Sequence, residues 1–233
     1  MSDFLPTVEV APRDAPASAS VIWLHGLGAS GHDFEPIVPL LDLPHARFIF
    51  PHAPEIPVTI NNGWVMRAWY DIRSLDRGPD REDSVQIRTS AASIHALIER
   101  ERQRGIDSER IVLGGFSQGG AMTLYTGLRY PHRLAGLLAL SAYMLLPQAL
   151  PQEIAAANQQ TPMLFAHGTF DDLVPTFAGR AALEQISALD REGQGTDGGA
   201  LRELRWQEYP MGHEVSPAEL ALVGTWLRER LPA

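Results

Sequence analysis

Short apolar segments recur along the chain, and segments with helical spacing separate them. Five runs are rich in Val, Ile, Leu or Phe and end near Gly, Pro or Ser, as buried strands of a parallel sheet do. These runs cover residues 21–24, 47–50, 111–114, 136–140 and 163–166. Residues 204–209 alternate more strongly and predict a sixth strand, and residues 7–10 predict an edge strand.

Helices are predicted from apolar spacing and from end signals. One apolar stripe ends near Gly105, which suits a C-cap, and residues 181–189 predict another helix. The stripe consists of Ile87, Ala91, Ile94 and Ile98. The last helix has Ser216 as its N-cap, Pro217 in its first turn and Glu219 to complete a capping box. Its predicted buried stripe is Leu220, Val223, Leu227 and Leu231.

Strands that alternate with helices predict an α/β fold, with a mainly parallel central sheet and helices on both faces. The length of 233 residues fits one domain over 1–233. The Gly-rich segment from Gly193 to Gly199 lies between a helix and a strand, and we interpret it as a surface loop rather than a domain linker.

Composition and charge narrow the function classes. The chain has no cysteine, which excludes disulfides, thiolate metal sites and a Cys nucleophile, and which fits a cytoplasmic location. A net charge of −9 without a basic block argues against nucleic acid as a partner. The start of the chain lacks a signal-peptide pattern, and the apolar stretch 135–146 is too short for stable membrane insertion.

The strongest local motif is G-x-S-x-G, formed by Gly115, Ser117 and Gly119. An apolar strand precedes it and a helix-like segment follows, which is the setting of a nucleophile elbow. Such a turn projects the serine hydroxyl at the carboxyl edge of the sheet, next to the positive end of the helix. The alternative is an ordinary Gly-rich turn with a capping serine. We predict that Ser117 is a nucleophile.

A serine hydroxyl needs a base, and histidine titrates near neutrality. In folds with this elbow the chain order is Ser, acid, His, which leaves His132, His167 and His213 as candidates. His132 lies at a helix end, and no strand-borne acid separates His167 from the nucleophile. His213 follows the last strand, directly before the capped final helix. We therefore predict that His213 is the base.

The acid and the oxyanion donors are expected on other loops of the same edge. Asp171 and Asp172 follow the strand at 163–166, and their spacing alone does not distinguish them. One oxyanion N–H is expected from Gln118, the residue after the nucleophile, and a second from Leu27 in the Gly-flanked loop after residues 21–24.

These motifs resemble the bacterial carboxylesterase and acyl-protein thioesterase family, the phospholipase/carboxylesterase group of α/β-hydrolases. The matching stretches are HGLGASGHDF at 25–34, PHAPEIPVTINNGWVMRAWYDI at 51–72, GGFSQGGAMTLYTGL at 114–128, HGTFDDLVP at 167–175 and YPMGHEV at 209–215. They span nearly the whole chain in the family's order, so the resemblance covers the full domain.

The resemblance implies the α/β-hydrolase fold, with Ser117, Asp171 and His213 as the catalytic triad. It also implies Leu27 and Gln118 as oxyanion donors, with Leu27 and Trp69 beside the acyl-binding groove. It further implies no metal or organic cofactor, and it suggests pairing into a homodimer. One departure from the family pattern is Asp172, where members often have proline.

We expect a serine carboxylesterase that hydrolyses short- to medium-chain carboxylic esters through an acyl-enzyme, with a small ester or thioester as substrate. The alternative in the same class is a lysophospholipase or an acyl-protein thioesterase. A non-catalytic binding module would typically have lost a triad member, and a metal-dependent hydrolase would need a His-x-His or His-Glu-x-x-His spacing, which is absent. The long aromatic segment 56–70 is predicted to be an irregular lid or binding loop.

Overall fold

A computed structural model describes residues 4–74, 76, 78, 81–192 and 202–233. Its strands are β1 (Thr7–Val10), β2 (Ala19–Leu24), β3 (Ala46–Pro51), β4 (Glu55–Val58), β5 (Trp64–Arg67), β6 (Ile111–Phe116), β7 (Gly136–Leu140), β8 (Met163–Gly168) and β9 (Leu204–Tyr209). Its α-helices are α1 (Val38–Leu41), α2 (Ser84–Gln103), α3 (Gln118–Arg129), α4 (Leu150–Glu153), α5 (Thr176–Glu192) and α6 (Pro217–Arg230).

Seven strands form one sheet in the order β1-β3-β2-β6-β7-β8-β9. All neighbours are parallel except β1, which pairs antiparallel with β3 through a register that includes Thr7 with Pro51. The predicted sheet strands are all present, and the predicted edge strand is β1. The prediction of an α/β-hydrolase fold with a mainly parallel sheet is confirmed.

The sheet is covered on both faces because its central strands are apolar on both sides. Ile22 and Leu24 of β2 pack against the core that α2, α3 and α5 cover, whereas Val21 and Trp23 pack toward α1 and α6. The connections that lead along the sheet toward β9 contain α2, α3 and α5, which lie on one face of the sheet. The connection from β2 to β3 leads in the opposite direction and contains α1, which lies on the other face. This division follows from right-handed crossovers.

The N-terminus of α6 differs from its prediction in one respect. The Ser216 hydroxyl accepts a hydrogen bond from the Glu219 N–H at 3.2 Å, as a capping residue should. The Glu219 carboxylate is fully buried and makes no hydrogen bond of normal geometry with the described residues. The capping box is therefore half formed. The predicted apolar stripe of this helix is buried as expected: Leu220, Val223, Leu227 and Leu231.

The segment predicted to be an irregular loop contains an antiparallel hairpin. Its strands β4 and β5 pair from Glu55 with Arg67 to Val58 with Trp64, which gives the segment its own backbone hydrogen bonds. Trp64 lies at the exposed end of the hairpin, with 73% of its surface accessible. The predicted loop from Gly193 to Gly199 lies outside the described residues. No helix in the described part of the chain is long and apolar enough to cross a membrane.

Candidate active site

Ser117 lies on a sharp turn between β6 and α3. Its φ of 56° and ψ of −121° form a conformation that residues with a side chain rarely adopt. The Ser117 N–H donates to the Leu140 carbonyl at 2.8 Å, and the Ser117 carbonyl accepts from the Ala121 N–H at 2.9 Å. These bonds fix the turn at the carboxyl edge of the sheet, where α3 begins.

The glycines of the motif permit this turn to pack against β2. A Cβ on Gly115 would lie 2.5 Å from the carbonyl carbon of Gly119, and a Cβ on Gly119 would lie 2.2 Å from the carbonyl oxygen of Leu24. Both distances are far below van der Waals contact. The G-x-S-x-G pattern is thus explained by close backbone packing at the elbow.

Three side chains that are distant in sequence form a hydrogen-bonded chain. The His213 Nε2 lies 2.8 Å from the Ser117 Oγ, and the His213 Nδ1 lies 2.7 Å from the Asp171 Oδ2. Because a carboxylate only accepts hydrogen bonds, Nδ1 carries the proton and Nε2 accepts from the serine hydroxyl. This arrangement can remove the proton from Ser117 and stabilise the imidazolium that results.

The two neighbouring aspartates have different surroundings. Asp171 is buried, and its Oδ1 accepts from the N–H groups of Leu173 at 3.1 Å and Val174 at 2.8 Å. Its other oxygen is therefore directed at His213. Asp172 is exposed and points to a neighbouring cavity. The structure brings Asp171, and not Asp172, to the histidine.

Two other histidines near the site are buried. His167 makes a 2.7 Å hydrogen bond to the Val174 carbonyl, and burial lowers its pKa. His25 contacts the Gly26 carbonyl through Nδ1 at 2.7 Å and accepts from the Ala53 N–H through Nε2 at 3.1 Å. Burial lowers the pKa of His25 to about 4. Both are neutral near pH 7 and hold the loops on which they lie.

Leu27 and Gln118 follow the neighbouring strands β2 and β6, and both residues line the cavity above Ser117. In the described structure their backbone N–H groups make no hydrogen bond, so they remain available to an incoming oxyanion. The Gln118 side chain is occupied elsewhere. It accepts from the Trp69 N–H and donates to the Tyr70 carbonyl, both at 2.8 Å.

Trp69 does not line the cavity, contrary to its predicted position beside the groove. Its side chain is buried, and its Nε1 donates to the His25 carbonyl at 2.9 Å. Together with the Gln118 bonds, this forms a brace between the loop that carries Leu27 and the elbow. The helix α2 also holds this brace in place, because its Ser90 hydroxyl donates a hydrogen bond to the Trp69 carbonyl.

The catalytic cavity has a volume of about 510 Å³. Its apolar walls come from several loops at the same sheet edge: Leu27, Phe34, Ile60, Ile72, Phe116, Tyr143, Leu173 and Val174. Phe116 also packs against the imidazole of His213, with ring centroids 4.7 Å apart. Of these lining residues, Leu27 was predicted to lie beside the groove and Ile60 belongs to the predicted binding loop 56–70. All of them except Tyr143 fall inside the motif stretches quoted above.

Among the described residues, no three His, Asp or Glu side chains form a group that could hold a metal ion.

Known proteins are similar to this chain over nearly its full length. A family model described as phospholipase/carboxylesterase matches residues 5–229. Acyl-protein thioesterase 1 of Gibberella zeae is 39% identical, over 96% of this chain and 95% of that protein.

Solved structures are similar over the same length. The crystal structure of Arabidopsis thaliana SOBER1 is 33% identical and covers 91% of this chain and 99% of its own, with a TM-score of 0.80. Acyl-protein thioesterase 2 of Zea mays is 28% identical and covers 98% of this chain and 100% of its own, with a TM-score of 0.81.

Proposed function

Because the chain belongs to the phospholipase/carboxylesterase family, we propose that it is a serine hydrolase that cleaves acyl thioesters, and carboxylic esters, through an acyl-enzyme on Ser117. The observation that carries this proposal is the chain of hydrogen bonds from Ser117 through His213 to Asp171, at 2.8 and 2.7 Å. The relatives named acyl-protein thioesterase favour the thioesterase alternative over the carboxylesterase function expected from the sequence.

The proposed reaction proceeds in two steps. The Ser117 Oγ attacks the carbonyl carbon while the His213 Nε2 takes its proton, and the N–H groups of Leu27 and Gln118 hold the oxyanion. Collapse breaks the C–S or C–O bond, and His213 returns the proton to the leaving thiol or alcohol. Water then attacks the acyl-enzyme with His213 as base, which releases the carboxylic acid.

The experiment compares an octanoyl thioester of N-acetylcysteamine with p-nitrophenyl octanoate, which share one acyl group. We expect both to be hydrolysed, and the thioester to be an efficient substrate. Ser117→Ala should lower kcat by about 10⁴ or more and abolish labelling by a fluorophosphonate. Ser187→Ala on α5, whose hydroxyl bonds only to a carbonyl of its own helix, is the matched control. Unchanged activity of Ser117→Ala would refute the proposal, and hydrolysis of the ester alone would support a carboxylesterase.

The acid is tested by the neighbouring pair of aspartates. Asp171→Asn should lower kcat by about 10⁴, because an amide cannot hold the required histidine tautomer. Asp172→Asn should lower it far less, since its side chain is exposed. The two variants differ by one position and remove the same charge. If their ranking were reversed, the role of acid would move to Asp172.

Other properties stay predictions. A lysophospholipase activity would act through the same site, whereas a non-catalytic binding module is disfavoured because all three triad groups are present and joined. A homodimer and a cytoplasmic location rest on the family resemblance and on the absence of cysteine.

A further inference from the structure

Arg81 lies where two cavities meet. It lines the catalytic cavity, and it also lines an adjoining cavity of about 420 Å³ beside the start of α5. Tyr143, Leu173 and Val174 complete the wall that the two cavities share. Among the described residues that line the two cavities, Arg81 is the one Lys or Arg.

The position of Arg81 is fixed by its neighbours. Its guanidinium carbon lies 4.9 Å from the centroid of the Tyr143 ring, and the Tyr143 hydroxyl is hydrogen-bonded to that of Tyr70 at 2.8 Å. The Arg81 Nε is buried and lies 3.2 Å from a carboxylate oxygen of Glu82. The ring and the carboxylate therefore hold one edge of the guanidinium group.

The other edge of the guanidinium group is unused. Within the described structure, its terminal NH₂ groups donate no hydrogen bond, and a quarter of the side-chain surface is accessible, at 25%. Most other charged or amide groups that line the two cavities are committed: Asp33 accepts from the N–H and the hydroxyl of Ser30, and Gln118 is bonded to Trp69 and Tyr70. The amides of Asn61 and Gln185 donate to the Met66 Sδ and the Pro147 carbonyl. Asp172 is the exposed carboxylate on the adjoining cavity, and as an acceptor it does not compete with Arg81 for an anion. A planar guanidinium fork with free N–H groups matches the oxygens of a carboxylate or a phosphate.

We propose that Arg81 forms an anion-binding subsite, and that the enzyme selects substrates which carry a carboxylate or a phosphate beyond the scissile carbonyl. The inference rests on the proposed function, since it places the anion on a substrate that Ser117 attacks. The anion can belong to the acyl group or to the leaving group, because Arg81 faces both cavities. The net charge of −9 would disfavour anionic substrates, so this preference is specific to the subsite.

The test uses two substrate pairs in parallel. Mono-p-nitrophenyl adipate and p-nitrophenyl hexanoate differ by a charge on the acyl group. The leaving-group pair is 4-carboxyphenyl acetate and its uncharged analogue 4-carbamoylphenyl acetate. For each pair, the ratio of kcat/KM between the anionic and the neutral substrate is measured in wild type, Arg81→Gln and Arg81→Lys. The intrinsic reactivity of each substrate is the same for every variant, so it cancels when the ratios are compared between variants.

We expect Arg81→Gln to lower the ratio roughly tenfold in at least one pair, as loss of a hydrogen bond to a charged group does. Arg81→Lys keeps the charge without the fork and should give an intermediate ratio. Arg102→Gln on α2 removes the same charge at a residue that lines neither cavity, and it should leave both ratios unchanged. The pair that responds identifies the side of the substrate that Arg81 contacts.

Unchanged ratios in both pairs for Arg81→Gln, or an equal decrease in Arg102→Gln, would overturn the subsite. The neutral substrates separate this result from a failure of the proposed function. If wild type hydrolysed them no faster than Ser117→Ala did, the triad proposal itself would fail, whatever the ratios were.

Discussion

At the scale of single residues, Ser117 combines its proposed role as nucleophile with an unfavourable backbone conformation. Its positive φ of 56° is one that glycine adopts freely and other residues adopt at a cost on the order of 1–3 kcal/mol. The surrounding fold offsets this cost, because backbone hydrogen bonds to Leu140 and Ala121 hold the turn in this conformation.

This strain makes a prediction about stability. Ser117→Gly and Ser117→Ala both remove the proposed nucleophile, but only the glycine variant relieves the backbone strain. We expect Ser117→Gly to be more stable than Ser117→Ala by about 1 kcal/mol in urea unfolding. The same pair of substitutions at Ser187, within α5, should rank in the opposite order, because glycine weakens a helix. Equal stability of the two Ser117 variants would show that the turn is not strained.

Glu219 is the second residue whose surroundings are unusual. Burial raises its pKa to about 8, and a partial contact with the Ser216 N–H offsets only part of that effect. A carboxyl group with a raised pKa binds its proton more tightly in the folded state than in the unfolded state. Its contribution to stability is therefore fully present below its ordinary pKa of 4.5, declines as the pH rises, and is lost above pH 8.

Glu219→Gln should remove this pH dependence. At pH 9 we expect the variant to be more stable than wild type, by on the order of a few kcal/mol, and the difference should shrink as the pH falls toward 5. Chemical unfolding at several pH values measures it. Glu184→Gln, at an exposed position on α5, serves as the control and should change little at any pH. A difference that does not vary with pH would contradict a buried, protonated carboxyl.

At the scale of elements, the segment after β5 acts as a brace rather than as a wall of the groove. Trp69 joins the His25 carbonyl, in the loop after β2, to the Gln118 side chain at the start of α3. The two predicted oxyanion donors, Leu27 and Gln118, lie on the two segments that this brace connects. Their separation is thus set by a third element that touches neither N–H.

Trp69→Phe removes the indole N–H with little loss of volume. We expect kcat to fall roughly tenfold for every acyl length, since one hydrogen bond that positions an oxyanion donor is lost. A p-nitrophenyl ester series from acetate to palmitate should keep its profile, in which kcat/KM climbs with chain length until the cavity is filled. Trp64→Phe, on the exposed hairpin, is the control.

Ile60→Ala provides the opposite case, because Ile60 lines the cavity. It should flatten the acyl-length profile by up to about 0.8 kcal/mol for each methylene that loses contact, and it should leave kcat for acetate unchanged. A flattened profile in Trp69→Phe instead would return Trp69 to the substrate-binding role predicted from the sequence.

Particular residues show which features of the structure can be predicted from the sequence and which cannot. Strands such as 136–140 are apolar on both sides because both faces of the sheet are covered, so a short run identifies them. Trp64 and Trp69 belong to the same aromatic segment of the sequence, yet Trp64 is exposed at the end of the hairpin and Trp69, which follows the hairpin, is buried. Arg81 belongs to no motif, and only the folded chain brings it to the cavities.

At the scale of the whole molecule, the site depends on the entire sheet. Its residues follow β2, β6, β8 and β9, so they converge only when every strand is in register. The fluorescence of the buried tryptophans is sensitive to unfolding on both faces of the sheet, because Trp23 and Trp226 lie on one face and Trp69 lies on the other. A single domain over 1–233 stays a prediction.

We therefore expect one cooperative transition on unfolding in guanidinium chloride. Tryptophan fluorescence, far-UV circular dichroism and residual hydrolase activity should share one midpoint. Activity that disappears at a clearly lower concentration than the circular dichroism signal would show that the site loops unfold separately. Two transitions in circular dichroism would contradict the single domain.

The strand order has a consequence for how this enzyme class can diversify. The chain leaves β2 toward one edge of the sheet and later leaves β6 toward the other, so the two connections part and open a crevice between neighbouring strands. This is a topological switch point, the place where open α/β sheets bind their ligands. The segments that carry Leu27 and Gln118 border this crevice, so it is topology, before any side chain, that makes room for an oxyanion. The loop after β7 lies beyond it, and this loop can be exchanged in evolution or by design to admit new acyl or leaving groups, while the oxyanion frame and the loop after β8, which carries Asp171, stay in place.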